Sequence, residues 1–498
     1  LPLRTNPVLY EINTWVWLAD LSERYGHPVT LADIPAEVFD ELKSWHLDAV
    51  WMMGVWERSP RGRQTALEHE GLQFEYEQAL PGYTPEIVVG SPYAVRRYVV
   101  DDRLGGRGGL ASFRAQLQER GIGLILDYVP NHVAIDHPWT VECPACLVRG
   151  SEDDLARQSG SYFRVPENGL IFAHGRDPYW PAWTDTVQID AFSREAREQS
   201  LNVILDIASQ CDGLRCDMAM LVVNRVFAGV WSRSPDETPA TEFWEAIIPP
   251  VRSLCPDFVF MAEVYWDMEA ELQALGFDYT YDKRLYDRLR YENVHTVRDH
   301  LLAASHYQRK LVRFVENHDE ARAITAFGLE KSQAAAAIVA ALPGAKLFHE
   351  GQFEGRRARV PIQLGRRPAE QPIAVLSTFY HKLLAEIQAA PYHDGTFAVL
   401  GVQPILGRDA GRENLLAFAW ALGEDWRIIV VNYGDQPVKG RIMLPCPAFA
   451  GVGVWRFDDV LYPAQPVLYS GDDLLIAGLP VTLDSYSAAI FAVTRAAG

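Results

Sequence analysis

Over the first 390 or so residues, short apolar runs alternate with longer amphipathic stretches. The runs are Val8–Ile12, Ala49–Met53, Gly123–Leu126, Gly213–Cys216, Phe258–Ala262, Phe277–Tyr279, Leu311–Val315 and Lys346–Phe348. Helix-like segments lie between several of them, among them Gly109–Arg120, Ser193–Ser209, Thr241–Leu254 and Lys331–Ala341. Apolar strands that alternate with helices predict a parallel sheet covered on both faces. About eight such units predict an α/β fold closed as a (β/α)₈ TIM barrel.

Two regions break this pattern. Residues 133–190, rich in Pro, Gly, Asp and Trp, have no clear period and are too long for an ordinary strand–helix loop. They read as a small subdomain inserted after strand 3. From Asp394 onward the chain turns to short alternating strands, Leu415–Trp420, Arg427–Asn432, Gly440–Leu444, Gly453–Phe457 and Ala489–Val493. This predicts a C-terminal antiparallel β-sandwich. The expected division is 1–132 with 191–393 as barrel, 133–190 as subdomain, and 394–498 as C-terminal domain.

Composition narrows the function. The formal charge of −19, with no basic block, argues against nucleic acid and against anionic membrane surfaces. No run of eighteen apolar residues is present, so no membrane span is expected. The start of the chain does not read as a leader, so the cytoplasm is the default compartment. Trp, Tyr and Phe number 14, 21 and 21, which suits ligands with flat apolar faces such as sugars. Cys143 and Cys146 form a lone C-x-x-C, for which a structural zinc, free thiols or a local disulfide all stay open. Gly105–Gly109 lacks the Lys-Ser or Lys-Thr of a phosphate loop and reads as a flexible connection. Asp282–Arg288 reads as a helix with paired charges. His349–Gln352, after the eighth strand, is expected at the rim of a cleft.

Four strand-like runs end in an acid. Asp127 follows Leu124–Leu126, Asp217 follows Gly213–Cys216, Glu263 follows Phe258–Ala262, and Glu316-Asn317-His318-Asp319 follows Leu311–Val315. Taken singly, each acid is explained by helix capping or a turn. In a barrel, however, the carboxyl ends of all strands meet on one face, where reacting groups stand. Paired carboxylates in one cleft suit glycoside hydrolysis, one acting as acid and one as nucleophile. Arg215, two residues before Asp217, should share its side of the strand and keep it charged. Glu263 stands among apolar neighbours, whose desolvation suits a general acid.

The segments Asp127-Tyr128-Val129-Pro130-Asn131-His132, Gly213-Leu214-Arg215-Cys216-Asp217, Ala262-Glu263-Val264 and Phe314-Val315-Glu316-Asn317-His318-Asp319 resemble the four motifs of the alpha-amylase family, glycoside hydrolase family thirteen. The resemblance implies Asp217 as nucleophile, Glu263 as acid/base and Asp319 as transition-state stabiliser. It implies Arg215, His132 and His318 as sugar-contacting residues and Asp127 as a supporting acid. Tyr93, in Gly90-Ser91-Pro92-Tyr93, is similar to the aromatic that stacks on that sugar. Arg322, shortly after Asp319, resembles the pattern of members that act on short oligosaccharides. No cofactor is required by this reading. Calcium is the one metal the family suggests, with Asn131 as a ligand, although the His that often helps to hold it is missing after Asp217.

Met218–Leu221 also replace the Lys and His usual in starch-cleaving members, which should change the lining of the leaving-group side. The leading expectation is a retaining hydrolase of α-glucosidic bonds, α-1,4 foremost, in gluco-oligosaccharides, with that sugar as its partner. A transglycosidase, isomerase or phosphorylase using the same carboxylates is the alternative. A non-catalytic carbohydrate-binding relative is the third reading.

Overall fold

The apolar runs become the strands of a barrel because each is buried on both sides, by the barrel interior and by the helices outside. In the computed structural model, which describes residues 2–403, 412–445 and 453–496, they are β1 (Val8–Asn13), β2 (Ala49–Met53), β3 (Gly123–Tyr128) and β4 (Gly213–Cys216). Next come β5 (Val259–Ala262), β6 (Tyr279–Tyr281), β7 (Leu311–Arg313) and β8 (Ala345–His349). They form a closed barrel in chain order. Register is parallel, with Ala49 beside Gly123, Gly213 beside both Ile125 and Val259, and Val312 beside Ala345. Arg215 thereby stands level with Asp127 on one neighbouring strand and Met261 on the other.

Most expected elements are present with ends shifted by a few residues. The sixth strand lies two residues later than expected, because Gly276 and Phe277 close the preceding helix and Asp278 leads into β6. The glycine run is corrected more fully. Gly106–Gly109 open the helix Gly106–Glu119, and Gly105 and Gly106 supply the positive φ of its entry, 106° and 61°. Asp282 caps the helix Lys283–Tyr291 by accepting from Leu285 N, and Lys283 pairs with Asp287 at 2.6 Å. Cys143 and Cys146 are joined as a disulfide.

Between β3 and the helix Arg194–Ala208, His132–Ala134 pairs with Thr186–Gln188, and Tyr162–Arg164 with Ile171–Ala173. Val133, Cys146, Leu147, Phe163, Phe172, Val187 and Ile189 gather there into a small apolar core. The C-terminal strands are β9 (Thr396–Val399), β10 (Gly401–Gln403), β11 (Leu415–Leu422), β12 (Asp425–Asn432), β13 (Val438–Met443), β14 (Val454–Asp459), β15 (Val467–Ser470), β16 (Leu479–Leu483) and β17 (Ser487–Arg495). They form a six-stranded sheet, β9-β11-β12-β17-β14-β15, and a three-stranded sheet, β10-β13-β16. Leu415, Ile428, Val430, Trp455 and Val493 of the first share one core with Val438, Ile442 and Val481 of the second, which makes the pair a sandwich. Residues 404–411 and 446–452 and the two chain ends, which fall within the expected domain ranges, lie outside the described residues.

By backbone packing the chain divides into two compact units. One is built on Leu9–Tyr281 and Ala358–Ala369, the other on Asp282–Arg357 and Glu370–Gly498, with short N-terminal pieces in each. Among the described residues, no helix is long and apolar enough to cross a membrane.

Candidate active site

In the first unit the sequence-predicted residues gather around one guanidinium. Arg215 is fully buried on β4, and its Nη1 donates to Asp217 Oδ1 at 2.7 Å. Its Nη2 lies 2.8 Å from Glu263 Oε2, and Nη1 lies 3.7 Å from Asp127 Oδ1. The two-residue spacing of Arg215 and Asp217 therefore does place both on one side. Aromatic rings close the rest of its surface, with Trp51 and Tyr93 centred 5.1 Å from Cζ and Tyr281 at 5.8 Å. Burial works against this charge, yet Glu263, Tyr93, Tyr281 and Asp217 together raise the Arg215 pKa well above its ordinary value.

Each acid is held by donors as well as by charge. Asp127 accepts from Trp51 Nε1 at 3.1 Å and from Gly54 N at 3.2 Å. Gly54 has φ +79°, and a Cβ there would meet Arg58 Nη2 at 2.7 Å, so the turn after β2 needs glycine to aim its N–H at Asp127. Asp217 N donates to the Tyr128 carbonyl at 2.8 Å. Glu263 accepts from Tyr265 Oη at 2.7 Å through Oε1 and from Met218 N at 2.7 Å through Oε2. Met218 adopts φ +41° to present that N–H, a left-handed conformation uncommon for a side chain of its size.

These contacts correct two expectations. Glu263 is buried, but its immediate surround is a cation, a phenol and an amide N–H rather than apolar groups alone. Of the run after Asp217, expected to change the lining of the leaving-group side, Ala219, Met220 and Leu221 are at most 1% exposed in a single tight turn, while Met218 is half-buried. Trp244 Nε1 holds that turn through the Ala219 carbonyl at 2.8 Å.

His132 is buried, and this pushes its pKa down to about 4, although the Tyr93 backbone partly offsets the effect. Its ring centroid lies 5.0 Å from that of Trp183. Asn131, the expected metal ligand, is instead engaged with an amide. Its Oδ1 accepts from Gln188 Nε2 at 2.9 Å, while its Nδ2 faces Gln188 Oε1 and the Arg176 carbonyl. An amide oxygen already taken by an N–H does not fit the part of a calcium ligand. Among the described residues, no group of three or more His, Cys, Asp or Glu side chains is placed so that it could hold a metal ion.

The second unit carries the remaining predicted residues on the segment after β7. Asn317 Oδ1 accepts from Asp319 N and Glu320 N, both at 3.0 Å, and so shapes the turn. His318 Nε2 lies 3.1 Å from Asp319 Oδ2; the histidine is buried while the Asp319 side chain is 45% exposed. Arg322 sits inside rather than at a rim. Its Nη1 donates to Glu316 Oε1 at 2.7 Å, to His349 Nδ1 at 2.8 Å and to the Glu350 carbonyl at 2.8 Å. Burial alone would raise the Glu316 carboxyl, but Arg322 and His349 hold it below its ordinary value. His349, Glu350 and Gln352 are all buried, so the segment after β8 is framework and not the rim expected from its position.

Sequence reasoning did not single out Trp51, Tyr265 and Tyr281 as partners of the acids and the arginine. Tyr265, two residues after Glu263, is the one that spacing could have suggested.

Fold and site define a (β/α)₈-barrel protein in which carboxylates at the carboxyl ends of separate strands are gathered by a buried arginine. No family model matches the chain. The sequence is 25% identical over 342 residues to "Alpha-amylase MalA" of Haloarcula japonica, covering 67% of this chain and 46% of that protein. It thus spans about half the length of that relative. It is 21% identical over 385 residues to "Alpha-amylase 3" of Dictyoglomus thermophilum, covering 74% of this chain and 68% of that one. The fold is shared with a maltogenic alpha-amylase, AmyB of Thermotoga neapolitana, with TM-score 0.69, 18% identity and 99% of each chain covered. The chain is a relative of the alpha-amylases, as the four motifs led one to expect.

Proposed function

We propose that the chain is a retaining glycoside hydrolase that cleaves α-glucosidic bonds, α-1,4 bonds foremost, in gluco-oligosaccharides. The observation that carries this reading is the single guanidinium shared by Asp217 and Glu263. One planar fork holding both carboxylates favours the close spacing, roughly 5 Å, that a covalent route uses. Three acids around one cation also leave surplus negative charge, which one bound proton relieves.

In this mechanism a glucose ring sits against Tyr93, with its anomeric carbon facing Asp217. Asp217, kept ionised and aimed by Arg215, attacks that carbon and forms an ester bond. The bond to the departing oxygen breaks, and Glu263 supplies the proton that this oxygen takes up. Water, giving its proton to Glu263, then attacks the anomeric carbon, the bond from that carbon to Asp217 breaks, and the carboxylate is released. Tyr265 and the Met218 N–H hold Glu263 in place through both half-reactions. Asp319 is assigned to the ring hydroxyls in the transition state. The support for that role is the resemblance of Phe314-Val315-Glu316-Asn317-His318-Asp319 to the fourth motif and the position of Asp319 beside His318 after β7. His132 and His318 are assigned to sugar hydroxyls, Asp127 to support of Arg215, and Arg322 to the framework beneath Asp319.

The test is incubation with a maltooligosaccharide ladder, following the first product by NMR. Release of the α-anomer by the native chain, with loss of turnover of about 10⁴-fold or more in Asp217→Asn and Glu263→Gln, is expected. Initial β-anomer, or ordinary turnover by Asp217→Asn, contradicts the reading. Phosphate dependence or disaccharide interconversion in the same assay would assign the chemistry to transfer instead.

A further inference from the structure

Arg215 meets three carboxylates, but Arg58, also buried in the first unit, meets none among the described residues. It ends the short strand Trp56–Arg58, which pairs antiparallel with Val95–Val100, and it is 3% exposed. Its Nη1 donates to the carbonyls of Gly90 and Ile362, the latter at 3.2 Å. Its Nε and Nη2 are buried and have no hydrogen-bond partner among the described residues. These two N–H groups form the side-on fork with which an arginine takes two oxygens of one anion. Arg103 uses the same fork nearby, donating from Nε and Nη2 to Asp101 at 2.9 and 2.7 Å. Burial pushes the Arg58 guanidinium down to about 9, against the pull of Asp101. A buried charge without a contacting counter-charge is costly to hold.

Arg58 forms part of the wall of a cavity of about 380 Å³, a size typical of small-molecule sites. Arg63 and Arg103 share that wall. Arg63 likewise donates to carbonyls, from Nε to Val88 and from Nη2 to Pro85, both at 2.6 Å. Of the acids on the wall, Asp101 is held by Arg103, Glu57 is held by Arg96, and Asp102 is exposed. Trp15 brings a further donor. Its ring centroid lies 5.5 Å from Arg58 Cζ and 4.5 Å from Arg103 Cζ, and its buried Nε1 has no partner among the described residues. It lines an adjoining cavity that shares Val89 and Arg103 with the first. A neutral sugar would satisfy these N–H groups but not the charge, whereas an oxyanion satisfies both.

We propose that Arg58, with Trp15, Arg63 and Arg103 around it, forms a binding site for a tetrahedral oxyanion, either a phosphate ion or the phosphoryl group of a sugar phosphate. The Arg58 fork takes two oxygens, and the further N–H groups suit an anion with more oxygens than a carboxylate. The site is separate from the glycosidase reading, because it concerns binding and not turnover.

The experiment is isothermal titration of the chain with inorganic phosphate and with glucose 6-phosphate, in chloride buffer of constant ionic strength. The native chain is expected to bind one phosphate group, which glucose does not displace. Arg58→Lys keeps the charge without the fork and should weaken binding about tenfold or more. Trp15→Phe keeps the ring without the N–H and should weaken it about threefold or more. Unfolding midpoints in chloride show whether each variant is folded, and if Arg58→Lys is not, Trp15→Phe decides. Binding of glucose 6-phosphate about tenfold tighter than phosphate identifies a sugar phosphate, and equal binding identifies the free ion. Binding of neither anion by the native chain, or unchanged binding in every folded variant, overturns the site and leaves the glycosidase reading standing.

Discussion

Burying a guanidinium costs several kcal/mol unless charge and geometry are matched, and Arg215 meets that condition with three carboxylates and three aromatic rings. The histidines show the opposite case. His137 is buried, and desolvation, with Arg97 and Arg96 nearby, lowers its pKa to about 3. Its Nδ1 accepts from Trp139 N at 3.1 Å, a bond that only the neutral ring can take. A histidine whose folded pKa lies below the ordinary 6.5 binds its proton first in the unfolded chain. Stability is therefore lost as pH falls from about 6.5 toward 3. His137→Gln should remove a contribution of about 3 kcal/mol to the loss between pH 6.5 and 4. Thermal unfolding at both pH values checks this, and equal pH slopes in the two chains would contradict it. At this scale the sequence revealed the acids and Arg215, because strand alternation fixes which side a residue faces. It could not reveal Tyr265 on Glu263 or Met218 N on the same carboxylate, which depend on dihedrals in loops after the strands.

Elements carry these residues, and their ends decide the chemistry. In the second unit, Arg322 ties the segment after β7 to the segment after β8 through Glu316, His349 and the Glu350 carbonyl. Arg322→Met should destabilise the chain by about 3–5 kcal/mol, since it leaves Glu316 charged and buried. It should also lower kcat more than it raises KM by loosening the turn that bears Asp319. Denaturant unfolding and steady-state kinetics read the two effects, and a loss confined to KM would contradict the framework role. In the first unit, the amide pair of Asn131 and Gln188 joins the strands His132–Ala134 and Thr186–Gln188. Chelation with EDTA should therefore leave the unfolding temperature in place. A fall that added calcium restores would contradict the amide reading. Long apolar strands and capped helices were legible in the sequence because their periods are strong. Short strands such as β9, β10 and β15 were not, since three or four residues carry no period of their own. The glycine run misled for a related reason, because positive φ at a helix entry and a flexible loop call for the same residue.

At the scale of the whole chain, acids 46 to 90 positions apart in sequence each follow a strand of the parallel barrel, which is the arrangement the proposed reaction calls for. That topology was legible from eight apolar runs, and the relatives share it. Chain-length preference was not legible, because loops without a period, such as those in 133–190, leave no record of their shape in the sequence. The proposed reaction passes through a covalent bond between the sugar and Asp217, which a slow fluorinated substrate can trap. After incubation with 5-fluoro-α-glucosyl fluoride and digestion, mass spectrometry should find one added fluoroglucosyl group on the peptide that contains Asp217. A label on a peptide lacking Asp217, or turnover with no labelled peptide at all, would contradict the account.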